Sequence, residues 1–143
     1  MVVTKTINLS TNPESDPELI SVVDITTQVA QQVAETNINN GTATVFVSGS
    51  TAGVSTIEYE PGAVSDFKTM WERVVPHSIP YKHDSAWGDG NGYSHVRASL
   101  MGASLVVPFN QKKLALGTWQ QIVLIDFDNR PRSRQIIVQI MGE

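Results

Sequence analysis

Residues 81–95 read YKHDSAWGDGNGYSH, which sets His83 and His95 in one stretch with Asp84, Asp89 and Asn91 between them. Two neutral imidazoles and a carboxylate are a donor set that borderline divalent cations such as Zn²⁺ accept, and an open coordination position would make the ion a Lewis acid. On that reading His83, His95 and Asp89 are metal ligands. The same groups could instead move protons, because imidazole titrates nearest neutrality and an adjacent carboxylate can orient one ring nitrogen. His83, His95, Asp89 and Asn91 are then the candidate catalytic groups. A third reading gives the acidic and amide side chains turn-forming work only, with Gly88, Gly90 and Gly92 supplying positive φ. The spacing of the two histidines matches no fixed metal motif, unlike two histidines one helical turn apart. His77, which follows Pro76 at a helix end, fits a surface role where a cation suits the helix dipole.

Other stretches carry weaker signals. GDGNG at 88–92 resembles a phosphate-cradling glycine loop but lacks the lysine and the serine or threonine of the usual nucleotide loop. SGSTAG at 48–53 breaks two apolar runs, and its Ser50 and Thr51 could offer hydroxyl and amide donors to a phosphate or carboxylate; a bulge lined with small residues is the plainer account. GSTAG is not the GxSxG of a nucleophile elbow. Gly117-Thr118-Trp119-Gln120 precedes an apolar run, where packing would account for Trp119 but not for the polar Thr118 and Gln120 beside it. Arg130, Arg132 and Arg134 alternate, so an extended chain would place them on one face as an anion clamp, a subunit contact or a solvated hairpin tip.

The chain that must position these groups has 143 residues, enough for one domain with one core. Charged residues make up 17%, a low share that hints at surface buried in an oligomer. The net charge of −4 and the scattered basic residues argue against non-specific nucleic-acid binding. With no cysteine, the chain has no disulfide, thiolate metal site or cysteine nucleophile. The N-terminus lacks the apolar run of a signal peptide and no segment approaches a membrane span, so the expected location is the cytoplasm.

Hydrophobic periodicity predicts strands over 4–9, 42–47, 54–59, 104–109, 121–127 and 134–140, the last two joined as an antiparallel hairpin. TNPESDPE at 11–18 reads as turn and loop. Ser21–Asp24 leads into a first helix, capped by Asp24 or Ser21 and ended by Asn39-Asn40-Gly41, with Ile25, Val29, Ala30 and Val33 at helical spacing. A second helix over 63–75 turns Val64, Phe67, Trp71, Val74 and Val75 to one side and stops at Pro76. Residues 81–95 read as loop, and 96–101 as a short helix. The class is α+β, with a mostly antiparallel sheet and two main helices on it.

SLVVPFNQKKLALGTWQQI at 104–122 closely resembles the signature of the YjbQ family, small proteins often labelled secondary thiamine-phosphate synthases. STAGVSTIEYEPG, the run from YKHD to NGYSHVRASLMG, and DFDNRPRSRQIIVQIMGE resemble the family's other segments, so the likeness covers residues 4–143. The resemblance implies a layered α+β fold, a homotrimer with clefts between subunits, and a polar site in which the family's central histidines fall on His83 and His95, its asparagine on Asn91 and its GTWQ on Gly117 to Gln120. Asp89 stands where relatives carry an acidic or polar residue. One departure stands out: many relatives carry a histidine where this chain has Gly49. The implied activity joins a pyrimidine diphosphate to a thiazole phosphate with release of pyrophosphate. That chemistry wants Mg²⁺ on the leaving group, which Asp84, Asp89 and Glu58 could hold, and donors for phosphate, which Ser50, Thr51 and Arg97 could supply. Two alternatives stand beside it: a metal-dependent hydrolase or lyase acting on a small phosphorylated or carboxylated metabolite, and a non-catalytic trimer that binds such a metabolite.

Overall fold

The computed structural model describes residues 1–13 and 20–143. In chain order these form β1 (Val2–Thr11), β2 (Ser21–Asp24), α1 (Thr26–Ala34), β3 (Gly41–Ser48), β4 (Ala52–Ile57), α2 (Pro61–Val74), α3 (Lys82–Trp87), α4 (Gly92–Met101), β5 (Ser104–Asn110), β6 (Lys113–Leu114), β7 (Gln121–Asp126) and β8 (Arg132–Gly142). All strand pairs are antiparallel, in one sheet ordered β1-β8-β3-β5-β6 and a second ordered β2-β7-β4. The α+β class and its antiparallel pairing are therefore as expected. Of the TNPESDPE turn, residues 14–18 lie outside the described residues.

The apolar run of β7 explains the layering. Ile122 and Leu124 point into a core shared with the inner face of the five-stranded sheet (Val45, Val47, Ile136, Val138) and with Val29 and Val33 of α1. Val123, Ile125 and Phe127 point the other way, into a second core with Trp71 and Val75 at the end of α2 and Tyr93 and Ala98 of α4. A strand buried on both faces loses the polar alternation of a half-buried one. The second sheet is thus the middle layer, with the larger sheet on one side and α2 and α4 on the other.

Several expectations change. β7 and β8 do not form a hairpin: β8 lies between β1 and β3 in one sheet while β7 lies between β2 and β4 in the other, so the DNRPR segment crosses between layers. Ser21–Asp24 is a strand rather than a helical lead-in. Asp24 still caps, its Oδ1 accepting the Thr26 N–H at 2.9 Å, and α1 ends at Ala34, before the Asn-Asn-Gly signal. Pro61 opens α2 two residues before the expected start at 63, because the Glu60 carboxylate accepts the N–H groups of Gly62 and Ala63 at 2.9 and 2.7 Å. The histidine-bearing stretch is helical over most of its length, which adds α3 and starts the short helix expected over 96–101 already at Gly92. Trp119 is 71% exposed and takes no part in the core.

Gly41 sits where β3 is flanked by both β5 and β8, and a Cβ there would fall 1.8 Å from the Met141 carbonyl oxygen. Because that neighbour is backbone, Gly41→Ala should destabilise by about 1–3 kcal/mol or more, the range of an overpacked core. Urea unfolding reads it directly, and an unchanged midpoint would mean the strands part freely at this point.

Candidate functional site

Two short helices meeting at a glycine corner hold the histidines. α3 ends on Gly88, whose φ of 70° is the left-handed cap that glycine adopts without strain, and its N–H closes on the Asp84 carbonyl at 2.7 Å. Gly90, also at φ 70°, turns the chain again, and Asn91 starts α4. Gly92 has no positive φ; it is needed for space, since a Cβ would meet that of Tyr81 at 2.5 Å. The Asp84 carboxylate accepts the Gly92 N–H at 2.8 Å and so ties the end of one helix to the start of the next. No residue of α3 is buried, so hydrogen bonds rather than burial keep it in place.

This corner brings the ring centroids of His83 and His95 to 4.5 Å. Nδ1 of His83 lies 3.4 Å from Asp89 Oδ1 and 3.8 Å from Asp84 Oδ1, enclosed and without a hydrogen bond. One donor atom from each of His83, Asp84 and Asp89 falls within 4.8 Å of the others, the spacing of a cation site. The grouped donors are thus His83, Asp84 and Asp89 rather than the expected His83, His95 and Asp89, and His95 stands beside them outside the group. Asn91 is buried behind. Its amide nitrogen, turned toward Asp89, donates to both carboxylate oxygens at 3.1 and 3.0 Å; turned the other way it reaches only Asp128, at 3.4 Å.

Behind Asn91 lies a buried ionic network that sequence reading did not assemble. Arg134 grips Asp126 through Nε and Nη2, each at 2.8 Å, and Nη2 also donates to the Thr51 hydroxyl at 2.6 Å. That hydroxyl donates to Asp128 at 3.0 Å, and Arg132 Nε reaches the same carboxylate at 2.7 Å. Asp126 takes two further donors, the Thr11 hydroxyl and the Asp128 N–H. Burial alone would raise the Asp128 carboxyl, but the bonds from Arg132, the Asn129 N–H and Thr51 outweigh it and hold it below the usual carboxylate range. The network reaches the histidine corner by two further bonds, Asn129 Nδ2 to the Asp89 carbonyl at 3.0 Å and Ser94 Oγ to the Phe127 carbonyl at 2.6 Å. Alternation in DFD and RPRSR was the available signal: each pair shares a face, and the two faces meet across the layers.

His95 also lines a cleft of about 240 Å³ with Gly49, Ser50 and Ser99, so Ser50 does come together with a histidine. Thr51 does not offer its hydroxyl to a ligand, because Asp128 and Arg134 use it. Nor is Arg97 an anion donor: it is fully buried, held by the Val75 carbonyl at 2.9 Å and Glu72 at 3.1 Å, and packed over the Tyr93 ring. Gln120 lines a different cleft, between β4 and β5, and bonds Thr56 and Gly117; Thr118 shares its turn. His77, half exposed, bonds Glu72 at 2.8 Å, in keeping with a surface role.

Comparison with known proteins agrees with this architecture. The family described as UPF0047 protein YjbQ-like matches residues 6–143. A UPF0047 protein of Archaeoglobus fulgidus is 38% identical over 122 residues, 85% of this chain and 92% of its own. The UPF0047 protein YugU of Bacillus subtilis is 32% identical over 139 residues, covering 96% and 98%. A crystal structure of a protein of unknown function from Sulfolobus solfataricus superposes with a TM-score of 0.87 at 33% identity, over the whole of both chains. None of these names carries an activity. Among the described residues, no helix is long and apolar enough to cross a membrane.

Two predictions follow from the network. Asp126→Asn leaves Arg134 charged and unpaired in the interior, and unfolding should show a loss of about 3–5 kcal/mol; a loss below 1 kcal/mol, the scale of an exposed pair, would contradict this. Asp128 has a lowered pKa, so its contribution to stability is complete above the ordinary carboxylate range and disappears as pH falls through the folded value. The stability gap between wild type and Asp128→Asn should therefore be wide at neutral pH and close in acid, as read by urea midpoints across pH.

Proposed function

We propose, from the premise that this chain belongs to the YjbQ-like UPF0047 family, that it is a divalent-metal-assisted hydrolase or lyase for a small phosphorylated or carboxylated metabolite. One observation carries the reading: the enclosed Nδ1 of His83, without a hydrogen bond, faces the carboxylates of Asp89 and Asp84 at the edge of the His95 cleft. One imidazole and two carboxylates are a harder donor set than two imidazoles and one carboxylate, so Mn²⁺ and Mg²⁺ fit beside Zn²⁺. Such an ion polarises a substrate oxygen or acidifies water. Asn91 orients Asp89, and His95, next to the ligand set and open to the cleft, is placed to take or give the proton. Ser50 and Ser99 line the space where the substrate would lie.

The thiamine-phosphate synthase activity implied by the resemblance is a second reading, favoured by the Asp84 and Asp89 pair, which suits the Mg²⁺ that a leaving diphosphate needs. The engagement of Arg97 and Arg132 with Glu72 and Asp128 weighs against it, since a diphosphate carries several charges to neutralise. The trimer belongs to the same reading. Thr118 and Gln120 lie apart from the histidines, next to the exposed Trp119, as a segment completing a neighbouring subunit's cleft would.

Manganese titration of metal-free protein, followed by electron paramagnetic resonance, tests the primary reading. Wild type should bind at one specific site, and His83→Ala should weaken that site by about tenfold or more. His95→Ala should keep the ion and lose turnover in a screen of phosphorylated and carboxylated metabolites. Absence of specific binding of Mn²⁺ or Zn²⁺ to wild type would overturn the metal assignment.

A further inference from the structure

A cleft that takes an anionic metabolite needs a donor for the anion, and Arg97, the arginine singled out by sequence, is enclosed. Arg134 stands differently. A guanidinium carries five N–H bonds. Nε and Nη2 of Arg134 spend theirs on Asp126 and Thr51, which leaves the pair on Nη1. Nη1 makes no hydrogen bond among the described residues, yet it keeps contact with solvent, whereas Arg97 Nη1 is sealed in. Arg134 as a whole is 7% exposed, so its remaining opening is narrow.

Gly49 lies at that opening. A Cβ built on it would stand 2.7 Å from Nη1 and 3.8 Å from Cζ, so the guanidinium edge lies against bare backbone where any other residue would put a side chain. Gly49 and Ser50 in turn line the His95 cleft. We propose that Arg134 Nη1, which lies directly behind Gly49 of the cleft wall rather than among the lining residues, is the oxyanion subsite of this cleft and holds the phosphoryl or carboxylate group of the substrate. The inference rests on the reading that the cleft takes an anionic metabolite. The chemistry suits it: the free N–H donors of Nη1 on a permanently charged guanidinium can each reach an oxygen of either group. Asp126 does not cancel this face. Its oxygens are shared among Arg134, Thr11 and the Asp128 N–H, and they engage the opposite edge of the guanidinium.

The test uses inorganic phosphate and acetate as probes, with affinity measured by calorimetry on wild type, Gly49→Ala and Ser50→Glu, and Mn²⁺ binding followed separately by paramagnetic resonance. Gly49→Ala places a methyl carbon 2.7 Å from Nη1, and Ser50→Glu, at an exposed site of the same cleft, adds a competing carboxylate. Wild type should bind at least one probe: phosphate alone marks a phosphoryl site, acetate alone a carboxylate site, and both an unselective oxyanion site. Each variant should lose about tenfold or more, the scale of one charge-assisted hydrogen bond, while keeping its Mn²⁺ affinity. Binding of neither probe by wild type, or undiminished binding by Ser50→Glu and by a folded Gly49→Ala, would overturn the subsite. Mn²⁺ binding without probe binding would sink this inference and leave the metal reading standing; the reverse result would do the opposite.

Discussion

The buried pair of Asp126 and Arg134 is the interaction on which the rest depends. Asp126 ends β7 in the middle layer, and Arg134 stands near the start of β8 in the large sheet. The pair is therefore a crosslink between layers. A charge taken from water must find a partner and fill its remaining hydrogen bonds, or the fold pays several kcal/mol. Asp126 meets that demand with the Nε–Nη2 edge of the guanidinium, Thr11 and the Asp128 N–H, and Arg134 takes Thr51 besides. Satisfying one ion pair thus fixes the end of β1, the 49–51 turn and the β7–β8 connection at once.

That rigidity passes to the histidine corner, which has little of its own. α3 buries no residue, and Trp87 is 77% exposed, so the hydrophobic effect does not hold His83 and Asp84 where they are. The corner borrows its order instead. Asn129, next to Asp128, clamps the Asp89 carbonyl, and Ser94 of α4 bonds the Phe127 carbonyl at the end of the doubly buried strand. Anchoring the backbone of the corner to a rigid layer holds it in place while leaving its imidazole and carboxylate side chains unpacked.

The sequence disclosed what depends on local pattern. Strand periodicity over 42–47 and 104–109, the face of the second helix and the concentration of donors at 83–95 all follow from chemistry within a few residues. What it withheld depends on partners distant in sequence. QIVLIDF and RQIIVQI read as a hairpin because they are consecutive apolar runs, and nothing local shows that one is sandwiched between two cores while the other joins a different sheet. Arg97 looked available because arginine is seldom buried, yet Glu72, the Val75 carbonyl and Tyr93 converge on it from 4 to 25 residues away. The helical character of KHDSAW was hidden by its lack of an apolar face: its cap at Gly88 and its tie to Gly92 stand in for periodicity.

Gly49 shows how one position can couple the network to the site. Its Cα lies against Nη1 of an arginine whose other nitrogens are committed to Asp126 and Thr51, so that guanidinium cannot swing aside for a side chain without breaking the crosslink between layers. The resemblance places a histidine at this position in many relatives. A histidine and this setting of the guanidinium cannot share the space, so such relatives must either shift the arginine or turn the local backbone. An imidazole can bind a metal or move a proton, while a guanidinium does neither and recognises oxyanions. The residue at 49 is therefore tied to the crosslink between layers, while His83, Asp84 and Asp89 hang from the other end of the network.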